Sequence, residues 1–223
     1  MAHPVIPPTH RSCSNAVRSY SGRSRSDNAR VRAVCRSQDR ADSLVVPFGR
    51  DGAGAIVSWA VTAGRNLLVH QRDTENFPNL PLTLMATGVL SRRTHELFVA
   101  DPHHRHHWLA GSRNATDWGA SWADTPEGIG RMLTELDSAA AGPRRLLLLA
   151  GLSTTIAKLD LPDRERLTDL VTTARDRNLT VVATSSDHGA RWFPDGLIAA
   201  FDDVLVRDNG HSTVHRNPLR HGG

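Results

Sequence analysis

The stretch from Arg144 to Leu152, RRLLLLAGL, constrains the fold more than any other part of the chain. Two arginines precede an apolar run from Leu146 to Leu152. A strand that is apolar at every position is apolar on both faces, so both faces must be covered. Parallel sheets with helices packed on each side meet that demand; a half-solvated antiparallel sheet would alternate apolar and polar residues. Two further stretches read the same way, NLLVH at 66–70 and LTVVATSS at 179–186. The strands at 66–70 and 146–150 are expected side by side in one sheet.

Helical patterns separate these strands. In DTPEGIGRMLTELDSA, Thr125 is a cap, Pro126 suits the first helical position, and Glu127 sits near the positive end of the dipole. LPDRERLTDLVTTARDRN puts Leu167, Leu170, Val171 and Ala174 on one face. Asn79 can cap a helix that runs through LTLMATGVL, with Pro81 tolerated in its first turn. ELFVAD reads as a strand ending on Asp101, and residues 102–122 as a long irregular stretch with short strands around Trp108 and Trp118.

Nearer the start, LVVPFG, RDGAG and AIVSWAV read as strand, glycine-rich turn and strand. DDVLVRDNGHSTVH reads as a hairpin, its Asn209-Gly210 pair suited to a type I′ turn. Strands that alternate with helices imply a three-layer α/β domain with a mostly parallel sheet, here closed by a C-terminal β-hairpin.

The 223 residues are enough for one domain with an appendage. Residues 1–43 carry eight arginines against three aspartates, a surplus of five positive charges. The whole chain is at +4, so the remaining residues are close to neutral. This Arg/Ser-rich segment shows neither a 3.6 nor a 2 period and is expected to be a disordered basic tail. It reads as a solvated tail, as an arm for nucleic acid or another anionic partner, or as a transit segment. The domain is expected over 44–216, with 217–223 a disordered C-terminus. No apolar run approaches the roughly 20 residues of a membrane helix, and nothing near the N-terminus resembles a secretory signal, so a cytoplasmic protein is expected. Cys13 and Cys35 have no partner spacing and read as free thiols.

Several polar clusters invite chemistry. DPHHRHHW holds His103, His104, His106 and His107, and imidazoles bind zinc, copper or nickel. Adjacent histidines on one strand point to opposite faces, so an exposed polar loop is the preferred reading and no metal is expected. Asp101 could join them only if folding brings it round. No GxSxG elbow is present. Trp108, Trp118, Trp122 and Trp192 could stack bases but read as core or interface anchors.

The order of elements resembles the motor domain of FtsK/SpoIIIE-type ATPases, and equally the EccC-type ATPase modules of type VII secretion. VPFGRDGAGAIVSWAVTAGRNLLVH is similar to the entry strands before the phosphate loop. NLPLTLMATGVL is similar to the helix after it, and ELFVADP to the next strand with its Asp-Pro pair. ASWADTPEGIGRMLTEL is similar to the segment before the family's long helix. RRLLLLAGL falls in the place of the Walker B strand. LTDLVTTARDRNLTVVATSS is similar to the helix and sensor strand, and LIAAFDDVLVRD to the closing strand region. The resemblance covers about residues 45–208 and implies a P-loop NTPase fold of the RecA/ASCE kind. It also implies ATP and magnesium as cofactors and ring-like oligomer contacts.

The departures fall where that chemistry would be. A Walker A loop needs glycines, a lysine and a Ser/Thr hydroxyl. The corresponding segment is Gln71, Arg72, Asp73, Thr74, Glu75, Asn76, Phe77 and Pro78. Phe77 takes the lysine position and Pro78 the hydroxyl position, and proline removes a backbone donor. Asp73 and Glu75 would repel a polyphosphate. The Walker B place ends Ala150-Gly151, without a carboxylate for magnesium. Thr184 and Ser185 keep sensor-like hydroxyls, which also serve as turn devices.

The expectation is therefore a degenerate, catalytically inactive module with no cofactor. It would act by contact with a ring-forming translocase or secretion ATPase, a peptide or DNA. The alternatives are an ATP- and magnesium-binding DNA translocase domain that grips phosphate through Arg72, and a relic with no selected activity.

Overall fold

A computed structural model describes residues 44–71, 80–109, 120–138, 143–186, 193–208 and 210–221. The predicted tail at 1–43, with Cys13 and Cys35, lies outside these residues.

The first strands, β1 (Leu44–Arg50) and β2 (Ile56–Val61), form an antiparallel hairpin of their own. The main sheet contains β3 (Leu67–Gln71), β4 (Glu96–Ala100), β5 (Ala120–Ala123), β6 (Arg145–Leu149), β7 (Leu179–Ser185), β8 (Asp203–Asp208) and β9 (His211–Arg216). Their order across the sheet is β5-β4-β6-β7-β3-β8-β9. All neighbours run parallel except β8 and β9, which are antiparallel and form the expected hairpin. Asp208 pairs with His211, and Gly210, just before His211, has a φ of 81°.

Strands β3 and β6 share the sheet, but they are not side by side as expected. β7 lies between them. All seven residues of β7 are buried, which suits a central position. Apolarity alone placed three strands in the interior without ordering them.

Four helices cover the sheet among the described residues: α1 (Leu80–Arg92), α2 (Pro126–Ser138), α3 (Leu152–Lys158) and α4 (Leu161–Thr172). Alternation along the strands sends side chains to two cores. Leu68, Leu147, Leu149, Leu179, Val181 and Ala183 face α2, α3 and α4. Leu67, Val69, Leu146, Leu148 and Val182 face α1 and the β1–β2 hairpin. The molecule therefore has the three layers the sequence implies.

Thr125 caps α2 as expected: its Oγ1 accepts from Gly128 N at 3.1 Å. In α4, Asp160 is the cap and accepts from Asp163 N at 2.9 Å. The short helix α3 was not anticipated. It spans under two turns and includes the β-branched Thr154, Thr155 and Ile156, too little for a 3.6 period to register. The strand expected near Trp108 is instead a 3₁₀ turn, His107–Leu109. The strand of this region is β5, which includes Trp122; Trp118 lies outside the described residues.

The amino edge of the sheet is pinned by buried polar groups. Asn66 is 2% exposed. Its Oδ1 accepts from Val181 N at 2.9 Å, and its Nδ2 donates to Val171 O at 2.9 Å and Ala200 O at 3.3 Å. Its own N–H donates to Asp202 Oδ2 at 2.7 Å. Asp203 receives Trp59 Nε1 at 2.8 Å and Arg65 Nε at 2.5 Å. Buried Arg145 donates to Leu136 O at 3.2 Å and Arg177 O at 2.6 Å, tying the end of α2 to the turn after α4. Gly64 closes against the same edge. Its φ is 71°, and a Cβ there would lie 2.4 Å from Arg175 Cα, so only glycine fits.

The C-terminus corrects a predicted boundary. Residues 217–221 continue the domain rather than leaving it. Asn217 is buried and donates through Nδ2 to Ile198 O at 2.7 Å and Phe201 O at 2.9 Å. Arg220 pairs with Asp202. A lone asparagine followed by Pro218 reads locally as a turn, and its partners are far away in sequence.

Candidate functional site at the carboxyl edge

In parallel α/β sheets, ligands sit beyond the carboxyl ends of the strands, where neighbouring connections leave in opposite directions. Here β3 leads through α1 across β7 and β6 to β4, while β7 leads past β3 to β8. The divergence falls between β3 and β7. Gln71 ends β3, its backbone paired with Arg207. Arg72, Asp73, Thr74, Glu75, Asn76, Phe77 and Pro78 lie outside the described residues, so the predicted phosphate-loop segment is placed only at its first residue.

The two sensor-like residues do reach this edge. Thr184 accepts from Gly151 N through Oγ1 at 2.8 Å, with Leu149 O at 3.5 Å from the same hydroxyl. This ties the end of β7 to the end of β6. Ser185 lies on the opposite face of β7, its Oγ 3.4 Å from Ser153 Oγ on α3. His70 is in register with Ser185 and is buried.

At the end of β6 the side chains are those of Ala150 and Gly151. Ala150 N donates to Ala100 O at 2.8 Å. Gly151 has a φ of 103°, and a Cβ there would meet the His103 ring at 3.0 Å. The imidazole of His103 therefore rests on the bare backbone that leads into α3. Lys158, at the far end of α3, donates to Pro102 O at 2.9 Å and holds the same loop from the other side.

The acid at the end of β4, Asp101, is fully buried and turns back on its own loop. Its Oδ2 accepts from His106 N at 2.5 Å and lies 3.4 Å from Trp122 Nε1. Folding thus brings Asp101 round, but toward a backbone amide. His104, at a φ of 56°, pairs through Nδ1 with Asp124 Oδ2 at 2.7 Å. His107 Nδ1 lies 3.0 Å from His104 O. The four histidines are consequently parted: His106 is buried, His103 lies on Gly151, His104 pairs with Asp124, and His107 is exposed. Among the described residues no group of three or more His, Cys, Asp or Glu side chains is placed to hold a metal ion.

Electrostatics follow from burial. Desolvation holds His106 below the ordinary imidazole range; Arg105 adds to this and Asp101 opposes it. Burial lowers His103 as well, helped by Arg105 and Lys158. Of the tryptophans, Trp122 packs beside His104 and Asp101, while Trp108 is 39% exposed; Trp118 and Trp192 lie outside the described residues. The sequence reading gave no role to Lys158 or Asp124, and named Gly151 only for the carboxylate that is lacking there.

No family model matches the sequence, and no curated protein matches it. Solved structures do. EssC (ATPases 2 and 3) from Geobacillus thermodenitrificans superimposes with a TM-score of 0.58 at 15% identity, covering 93% of this chain and 39% of that one. Thermomonospora curvata EccC (ATPases 2 and 3), in complex with a signal sequence peptide, gives 0.58 at 18% identity, over 76% and 34%. The conjugation coupling protein TcpA of pCW3, in its monomer form with ATPγS, gives 0.50 at 8% identity, over 75% and 55%. The chain spans less than half the length of these EssC and EccC chains. No helix among the described residues is long and apolar enough to cross a membrane. The resemblance read from the sequence holds at the level of fold: this chain has the fold seen in the ATPase domains of EccC and EssC.

Proposed function

We propose that this domain is a non-hydrolysing module of the FtsK/SpoIIIE kind, acting in the cytoplasm by contact with a partner. The partner is an active, ring-forming ATPase of translocation or secretion, or the peptide or DNA that such a ring handles. One observation carries the reading. At the end of β6, where the resemblance would put a magnesium-holding acid, the chain has Ala150 and Gly151, and the Gly151 N–H occupies the Thr184 hydroxyl. Phosphoryl transfer needs that metal and a group to orient the nucleophile. Asp101, the acid at the end of neighbouring β4, has Oδ2 engaged by its own loop. The EccC structure with a signal sequence peptide supports a peptide as the handled partner. In this reading residues 1–43 are a basic tail separate from the domain.

Thermal denaturation with and without Mg-ATP tests it. A ligand at 100 times its dissociation constant stabilises a native state by about 2.7 kcal/mol. No displacement of the midpoint at millimolar Mg-ATP is the expected result. A displacement of that size would replace this reading with an ATP-binding one in which Arg72 grips phosphate and magnesium follows. The likeness to TcpA, whose structure holds ATPγS, is the observation that keeps the second reading in play.

A further inference from the structure

We propose that the outer edge of β5 is an interface with a second copy of this chain, the two β5 strands pairing antiparallel about a two-fold axis at Trp122. The proposal is independent of whether nucleotide binds.

β5 is the outermost strand on its side of the main sheet, and among the described residues no strand lies beyond it. It runs parallel to β4, its one neighbour. Asp101 N donates to Ala123 O at 2.8 Å, so the backbone of Ala123 faces β4. Successive residues of a strand turn these groups to opposite sides. Ser121 therefore faces β4 as well, and the N–H and C=O of Trp122 point away from the sheet. The protein complement of such an edge is the backbone of another extended strand.

The two outermost strands are protected differently. β9 carries His211, His215 and Arg216, and β1 lies against it, with Ser212 Oγ donating to Phe48 O at 2.9 Å. Charge and cover of this sort keep an edge from pairing with another chain. β5 reads ASWA, with no charge and no proline, and its protection is its length of four residues. The 3₁₀ turn His107–Leu109 packs against β5, and there Trp108 is 39% exposed. An unguarded strand edge and an exposed indole thus fall together.

The chemistry of the edge selects its occupant. With Trp122 on the axis, its N–H and C=O meet those of its counterpart, Ser121 lies opposite Ala123, and Ala120 lies opposite Asp124. No like charges are opposed, and Asp124 already holds His104. Trp108, next to the strand, would be covered with it. A joint of this length is far below the roughly 1,200 Å² of a lasting interface, so the association is weak and reversible.

Sedimentation equilibrium of the full chain from about 10 μM to about 1 mM reads it. The mass should rise from 24.4 kDa toward twice that value. The Trp122 amide should exchange with deuterium more slowly as concentration rises. Ala120→Pro removes an outward N–H at the first residue of the strand, where an edge tolerates proline. Ser121→Lys supplies the guarding charge that β5 lacks. Each should hold the mass at 24.4 kDa where the wild type is largely dimeric. Ile56→Ser, at another exposed apolar side chain, should leave the dimer unchanged. A wild-type mass that stays at 24.4 kDa overturns the proposal, as does a dimer that survives both edge variants or is lost in Ile56→Ser. Should both edge variants fail to fold, the wild-type amide decides. Trp122 exchange that does not change with concentration, fast or slow, overturns the pairing; exchange that slows in step with the mass supports it.

Discussion

Replacing Asn66 by alanine should be among the most damaging single changes in the domain. The side chain makes three hydrogen bonds to backbone groups of three separate segments: Val181 in β7, Val171 in α4, and Ala200 before β8. Alanine leaves the Val181 N–H buried without an acceptor. An orphaned donor of this kind costs about 1–3 kcal/mol. The two carbonyls lose about 0.5–1.5 kcal/mol each, less than a donor because a carbonyl has a second lone pair. The total is about 2–6 kcal/mol, against a domain stability of about 5–15 kcal/mol. Urea unfolding followed by far-ultraviolet circular dichroism measures it as a shift in midpoint at constant slope. Asn66→Asp restores the acceptor for Val181 but presents a carboxylate to two carbonyls, so it should be no better than alanine. A loss below about 1 kcal/mol in Asn66→Ala would refute the reasoning, because it would mean these bonds are replaced by water at no cost.

Two more outcomes follow from single sites. Thr184→Val should destabilise by about 0.5–1.5 kcal/mol, since Gly151 N–H loses one of two acceptors and keeps Leu149 O at 3.0 Å. It should do so without altering any response to Mg-ATP; a nucleotide-dependent stabilisation that vanishes in this variant would restore a sensor role. His95 is held by burial, and secondarily by Arg144, at a pKa of about 4. The unfolded chain accepts that proton near pH 6.5 and the native one does not. Stability should therefore fall as pH drops from about 6.5 toward 4, and urea midpoints of His95→Gln should decline less over that window.

The fold was legible because its signals are local and redundant. RLLLL, LTVVATS and LLVHQ are apolar on both faces and too short for helices, so a sheet covered on both sides was forced before any strand was located. The cap at Thr125 marks a helix start through a bond from the residue three positions on, Gly128. Strand order was not legible, because an interior strand has the same composition whichever neighbours it has. The site was legible only in outline. Thr184 could be placed at a strand end, but its partner, Gly151 N, lies 33 residues away. The histidine segment read as a polar loop because its organising contact, Asp101 to His106 N, joins a side chain to a backbone amide that no residue pattern encodes.

The buried polar contacts that hold the domain together gather at one edge of the sheet. At the amino edge, Asn66, Asp202, Asp203, Arg145 and Asn217 are all buried. Their contacts reach from residue 59 to residue 220, so the ends of the domain are cross-linked there. None of those bonds passes through the loops beyond β3, β6 or β7. A chain anchored this way can lose acids, glycines and a lysine at the carboxyl edge without losing the sheet that presents them. Such losses also relieve repulsion, since an acid left at position 150 or 151 with no metal would be a buried, unpaired charge. At that edge the Thr184 hydroxyl accepts from the Gly151 N–H, tying the end of β7 to the end of β6.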